Sequence, residues 1–143
     1  MYSQVRGTGM FTAVDHIGFA VHNIEEAIAF YSRTFAVSNW ERIAMPERHA
    51  NVAVARVGAT LLELIAPTSE EAPFAKFLRE RGPGMHHIAY RVDDIVAALA
   101  ALKTRGVQLV DEMPRPGIHN TLVAFLHPKS TLGVLIELVQ YQT

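Results

Sequence analysis

The sequence contains no cysteine, which removes disulfides, thiolate metal sites and a cysteine nucleophile together. That usage fits a reducing compartment, and the expected location is cytoplasmic. Charge of one sign is missing as well: 13 Lys and Arg stand against 14 Asp and Glu. No overall field is present to draw nucleic acid or an anionic membrane, so a small-molecule partner is expected instead. The apolar runs are strand-sized and broken by charge, too short to span a bilayer as helices. Met1 to Met10 has no apolar stretch of the kind a secretion signal needs, and residues 1–12 read as a flexible leader. What the chain does have is 143 residues at 50% hydrophobic composition, enough for one well-buried domain over 13–143 and little for two.

The clearest internal signal is a duplication. Asp15-His16-Ile17-Gly18-Phe19-Ala20-Val21 returns 71 residues later as His86-His87-Ile88-Ala89-Tyr90-Arg91-Val92, and a helical pattern follows each copy. A second echo pairs Leu61-Leu62-Glu63-Leu64-Ile65 with Leu135-Ile136-Glu137-Leu138-Val139 at a spacing of 74. Two repeats, about 13–67 and 85–141, therefore carry one His strand and one Glu strand each.

Within the first repeat, residues 14–21 alternate as a strand, with Ile17, Phe19 and Val21 on one face and His16, Gly18 and Ala20 on the other. The small residues beside His16 leave room there. From Asn23 the period becomes helical through Ile24, Ala27, Ile28 and Tyr31, to about Phe35. Strands are expected at Trp40–Ile43, Val52–Val57 and Leu61–Ala66, with the polar loop Pro46-Glu47-Arg48-His49 between the first two. A linker holds a short helix over Pro73–Arg81, closed by Gly82-Pro83-Gly84. The second repeat reads as a strand at His87–Val92, a helix from Asp94 stopped by Gly106, and strands at Val107–Val110, Thr121–Leu126 and Gly133–Val139. Met113–Gly117 is expected as a loop. The fold class is α+β: two tandem βαβββ modules packed into one curved, cavity-forming mixed sheet with helices outside.

A Glu inside a run of Leu, Ile and Val calls for a partner, because an unpaired buried carboxylate is expensive. Two such Glu at equivalent places, with two matching His, predict one site of four ligands: His16, Glu63, His87 and Glu137. Two neutral imidazoles and two carboxylates balance a divalent cation. Nitrogen and oxygen donors without sulfur suit Mn, Fe, Co, Ni or Zn, and four of them leave two octahedral positions open for substrate. His86 competes with His87, but only His87 keeps the register with His16.

The strings DHIGFAV, LLELIAP, GMHHIAYRVDDI and FLHPKSTLGVLIELVQ resemble the vicinal oxygen chelate superfamily and, within it, the methylmalonyl-CoA epimerases, over about residues 14–141. The resemblance carries the metal ligands onto His16, Glu63, His87 and Glu137, with Co2+ or Mn2+ as the first expectation for one ion per chain. It also matches Glu47 to a catalytic carboxylate in a Pro-Glu loop, where the family often has Gln-Gly and this chain has Arg48-His49. It implies an acyl-CoA substrate and a homodimer. The expected reaction removes the C2 proton of a 2-methylmalonyl thioester and returns it on the other face through an enolate, with Glu47 and Glu137 as the proton carriers. Lys129 and Arg115 are candidates for the CoA phosphates. A glyoxalase I type isomerase would use the same four ligands, and a drug-binding relative without chemistry would typically lack part of the set.

Overall fold

A computed structural model describes residues 9–143. In chain order the described elements are β1 (Ala13–Ala20), α1 (Ile24–Phe35), β2 (Glu41–Met45), β3 (Ala50–Val57), β4 (Thr60–Pro67), α2 (Ala75–Arg81), β5 (Gly84–Arg91), α3 (Ile95–Thr104), β6 (Arg115–Pro116), β7 (Thr121–Leu126) and β8 (Ile136–Tyr141). The class is α+β with an eight-stranded mixed sheet, and the two modules appear as β1-α1-β2-β3-β4 and β5-α3-β6-β7-β8. The compact units do not follow the repeats: one is His16–His87, and the other joins Ile88–Thr143 to the described residues before His16, 9–15. The boundary therefore falls inside β1 and inside β5.

In the unit His16–His87 the strand order is β2-β3-β4-β1, antiparallel except for the parallel pair β1/β4. Helix α1 starts where the Asn23 side chain accepts the Glu26 N–H at 2.9 Å, and it ends at Ala36, whose left-handed backbone lets its N–H reach the Ser32 carbonyl. Its apolar stripe lies on the sheet: Ile24, Ala27, Ile28 and Tyr31 pack with Ala53, Leu64 and Trp40. The other unit has the order β5-β8-β7-β6. There Asp94 caps α3 by accepting the Ala97 N–H at 3.0 Å, and Ile95, Ala98 and Leu99 pack on Ala124, Leu126 and Leu138. Leu64 and Leu138 hold equivalent places in the repeat and both are fully buried. Burying each contributes about 1.5–3 kcal/mol. Alternation then turns their neighbours Glu63 and Glu137 to the sheet face away from the helix in each unit.

Three expectations shift. Val107–Val110 is not a strand; only Leu109 bridges to Leu126. The Val110 N–H still reaches the Phe125 carbonyl and the His127 N–H the Gln108 carbonyl, but side chains take the next donors, the Asp111 carboxylate accepting the Phe125 N–H (2.8 Å) and the Ser130 hydroxyl accepting the Gln108 N–H (2.8 Å). The short strand β6 forms instead inside the expected loop, with Pro116 at the sheet edge where a missing donor is harmless. Strand β8 starts at Ile136 rather than Gly133, because Leu132 and Gly133 have positive φ and the Thr131 hydroxyl donates to the Val134 carbonyl (2.6 Å). Of the leader expected over 1–12, residues 1–8 lie outside the described residues. Phe11 stacks on Tyr90 with centroids 4.1 Å apart, and the Thr12 N–H donates to the Arg91 carbonyl at 2.9 Å.

Candidate metal centre

The parallel ladder β1/β4 sets Gly18 opposite Glu63, two residues beyond His16. Strand β5 carries His87. The three side chains converge: His16 Nε2 lies 3.1 Å from His87 Nε2, His16 Nε2 lies 3.6 Å from Glu63 Oε2, and His87 Nε2 lies 3.3 Å from Glu63 Oε1. All three residues are buried, His87 to 4% exposure. The two imidazoles meet edge to face. Gly18 explains how they fit, since a Cβ there would stand 2.2 Å from His87 Cε1. The room expected beside His16 is filled by the His87 ring.

In the other unit the ladder β5/β8 sets Glu137 opposite Ala89, again two residues beyond the His of its repeat. Glu137 is buried as well. His16, His87 and Glu137 are thus all buried and all offer the nitrogen or oxygen donors that a divalent cation takes. The donor spacing in the His16–Glu63–His87 cluster fits such an ion. Ligands bound side by side at about 2.1 Å stand about 3 Å apart, close to the separation of the two Nε2 atoms.

Glu47 is not brought into this cluster. It lies exposed in a 3-10 turn, Pro46–Arg48, between β2 and β3. Val54 pairs with Glu63 and Ala50 with Pro67, so the turn begins four residues, roughly 13 Å, beyond Glu63 along the strand. The Arg48-His49 departure has a structural account. His49 has φ 52, the left-handed conformation that glycine adopts without cost, and its N–H closes the turn on the Pro46 carbonyl. The imidazole Nε2 stands 3.1 Å from Glu71 Oε2, which ties the turn to the linker. A non-glycine residue here costs about 1–2 kcal/mol, offset in part by the exposed His49–Glu71 contact, which contributes about 0–1.

Asp15 escaped the sequence argument, and a second residue entered it only as a rival of His87. Asp15 is 2% exposed and accepts hydrogen bonds from Arg91 Nε (2.9 Å) and the Tyr141 hydroxyl (2.7 Å). Burial, with the Asp15 hydrogen bond, pushes the Tyr141 hydroxyl up to about 12. For Arg91 burial works the other way, but the Asp15 bond and the nearby charges outweigh it and its guanidinium is raised. The reasoning that singled out Glu63 applies equally to Asp15, an acid amid apolar residues. The second is His86, whose Nδ1 lies 2.9 Å from His87 Nδ1. Strand alternation hides that contact, because it assigns adjacent residues to opposite faces.

Residues 15–125 match the family described as the Glyoxalase/Bleomycin resistance protein/Dioxygenase superfamily. The chain belongs to that superfamily. Among its relatives are the uncharacterised protein YqjC of Bacillus subtilis, 38% identical over 89% of this chain and 91% of that one. Mitochondrial methylmalonyl-CoA epimerase of Homo sapiens is also 38% identical, over 89% of this chain and 73% of that one. The solved methylmalonyl-CoA epimerase of Mycobacterium tuberculosis superposes with a TM-score of 0.90 at 36% identity, covering 96% of this chain and 93% of its own. A methylmalonyl-CoA epimerase solved in complex with methylmalonyl-CoA and NH4+ gives a TM-score of 0.88 at 33% identity, over 93% and 96%. Among the described residues no helix is long and apolar enough to cross a membrane.

Proposed function

We propose that the chain is an epimerase of 2-methylmalonyl-CoA acting with one divalent cation, Co2+ or Mn2+ first, held by His16, Glu63, His87 and Glu137. The observation that carries the reading is the convergence of two Nε2 atoms and a carboxylate in a buried place, in a chain similar to epimerases, one of them solved with methylmalonyl-CoA. Glu137 enters as fourth ligand because its ladder position repeats that of Glu63.

A cation there would supply Lewis-acid stabilisation, several kcal/mol, for charge developing on the thioester oxygen. The proton itself is moved by the chain. Inversion at C2 asks for a base on one face and an acid on the other, roles that exchange between the two directions, and Glu47 serves one face. Its turn is tied down by the His49 N–H to Pro46 and the His49–Glu71 contact. Glu137 serves the opposite face. Correct placement of the two contributes about 10²- to 10⁴-fold. Burial of the donor cluster keeps bulk water from the enolate. An acyl-CoA partner, a homodimer and a cytoplasmic location complete the proposal, the dimer motivated by exposed apolar side chains such as Phe30 and Phe35 on α1.

The test is C2 deuterium exchange and epimerisation of methylmalonyl-CoA by cation-loaded protein. Turnover with inversion supports the reading. Tight binding of the cation without exchange at C2, together with isomerisation of a glutathione hemithioacetal, would replace it by the isomerase reading.

A further inference from the structure

We propose that His86 is a positioning residue for the cation donor His87, and that the linker helix α2 exists in part to hold it. The inference rests on the metal-site reading above. His87 Nε2 faces His16 and Glu63, so Nδ1 is its rear nitrogen, and that atom lies 2.9 Å from His86 Nδ1. An imidazole that offers the Nε2 lone pair to a cation carries its hydrogen on Nδ1, and the acceptor of that hydrogen fixes both the tautomer and the ring orientation. His86 Nδ1 is placed to accept it. His86 then carries its own hydrogen on Nε2. The arrangement is asymmetric within the duplication, since the residue equivalent to His86 in the first repeat is Asp15, which is bonded to Arg91 and Tyr141 instead.

The His86 ring is itself held. Phe77 of α2 meets it edge to face at 5.1 Å between centroids, and Phe74, buried at the start of the helix, meets it at 5.9 Å. The two aromatic residues noticed on one side of the linker helix thus wall the ring that backs His87. On its other side His87 lies over Gly18, whose missing Cβ gives it room. Ring wall, hydrogen bond and glycine together leave His87 little freedom to turn its Nε2 away.

The experiment is titration of the full-length protein with Mn2+, read by loss of the free-ion EPR signal, alongside thermal melting without metal. His86→Leu removes the acceptor and should weaken the ion about 10- to 100-fold, the range for a lost outer partner of a ligating His. His86→Asn places an amide atom where Nδ1 stood and should recover most of that loss at unchanged melting temperature. Phe77→Leu keeps both imidazoles and should weaken the ion in the same direction, and it covers the case of a His86→Leu protein that does not fold. Parental affinity in His86→Leu, with His87→Ala binding nothing, would overturn the positioning role and leave the metal site standing. Equal losses in the Leu and Asn variants would also overturn it, marking His86 as packing alone. A parent protein that takes up no Mn2+ or Co2+ would remove the metal reading, and this inference with it.

Discussion

Replacing Gly18 by Ala should destabilise the protein and cripple its cation site, against the usual direction of such a change. In a strand interior, Gly to Ala ordinarily stabilises by about 0.5–1 kcal/mol, because the unfolded chain loses freedom. At Gly18 the added Cβ would lie 2.2 Å from His87 Cε1, 2.6 Å from Nδ1 and 2.7 Å from Nε2. An ordinary contact needs about 3.5 Å or more, so the ring must retreat by about 1 Å. It is buried and edge-on to His16, so the movement is overpacking at a cost of about 1–3 kcal/mol. Overpacking wins, and a net loss of up to about 2.5 kcal/mol is expected in the metal-free protein. The retreat also carries Nε2 away from His16 and Glu63, now 3.1 and 3.3 Å distant. Ligand geometry tolerates only about 0.5 Å, so affinity for Mn2+ should fall by more than about tenfold. Chemical denaturation without metal reads the first effect and Mn2+ titration the second. A Gly18→Ala protein at least as stable as its parent, with parental affinity, would refute the placement of His87 over Gly18.

Three further outcomes are expected. Glu47→Gln should lower turnover on the order of 10²-fold or more while cation content and substrate affinity stay near parental values; steady-state kinetics on metal-loaded protein would discard the assignment if the rates were unchanged. Tyr141 is raised to about 12 in the folded protein, above the usual 10 of a free tyrosine; its contribution to stability should be whole below pH 10 and disappear as pH rises from 10 to 12, and Tyr141→Phe should flatten that part of a denaturation-versus-pH curve. Light scattering at micromolar concentration should give the mass of two chains, and a mass near one chain would discard the homodimer.

The contrast between Gly18 and Ala89 shows where pattern reading stops. The two hold the same place in the repeat and each faces its Glu across a parallel ladder. Ala89 is fully buried with its Cβ in place, whereas Gly18 has His87 where a Cβ would go. The duplicated sequence predicts the equivalence and says nothing of the difference. Val107–Val110 makes a similar point, since its β-branched ends and apolar alternation read as a strand. Asp111 and Ser130 nevertheless take backbone donors that a ladder would use, and their reach depends on residues distant in sequence.

By itself the sequence determined the two modules, their helix caps at Asn23 and Asp94, and four of the buried polar residues, the two His and two Glu, because each rests on local periodicity or on comparing the chain with itself. Only the tertiary structure decided that the compact units cut through β1 and β5, that His86 backs His87, and that His49 ties the Glu47 turn to Glu71. Those facts depend on where side-chain atoms end after strands pair and rings pack. Periodicity assigns a face to each residue, but the angle of a ring on that face is set by neighbours that a linear pattern does not contain.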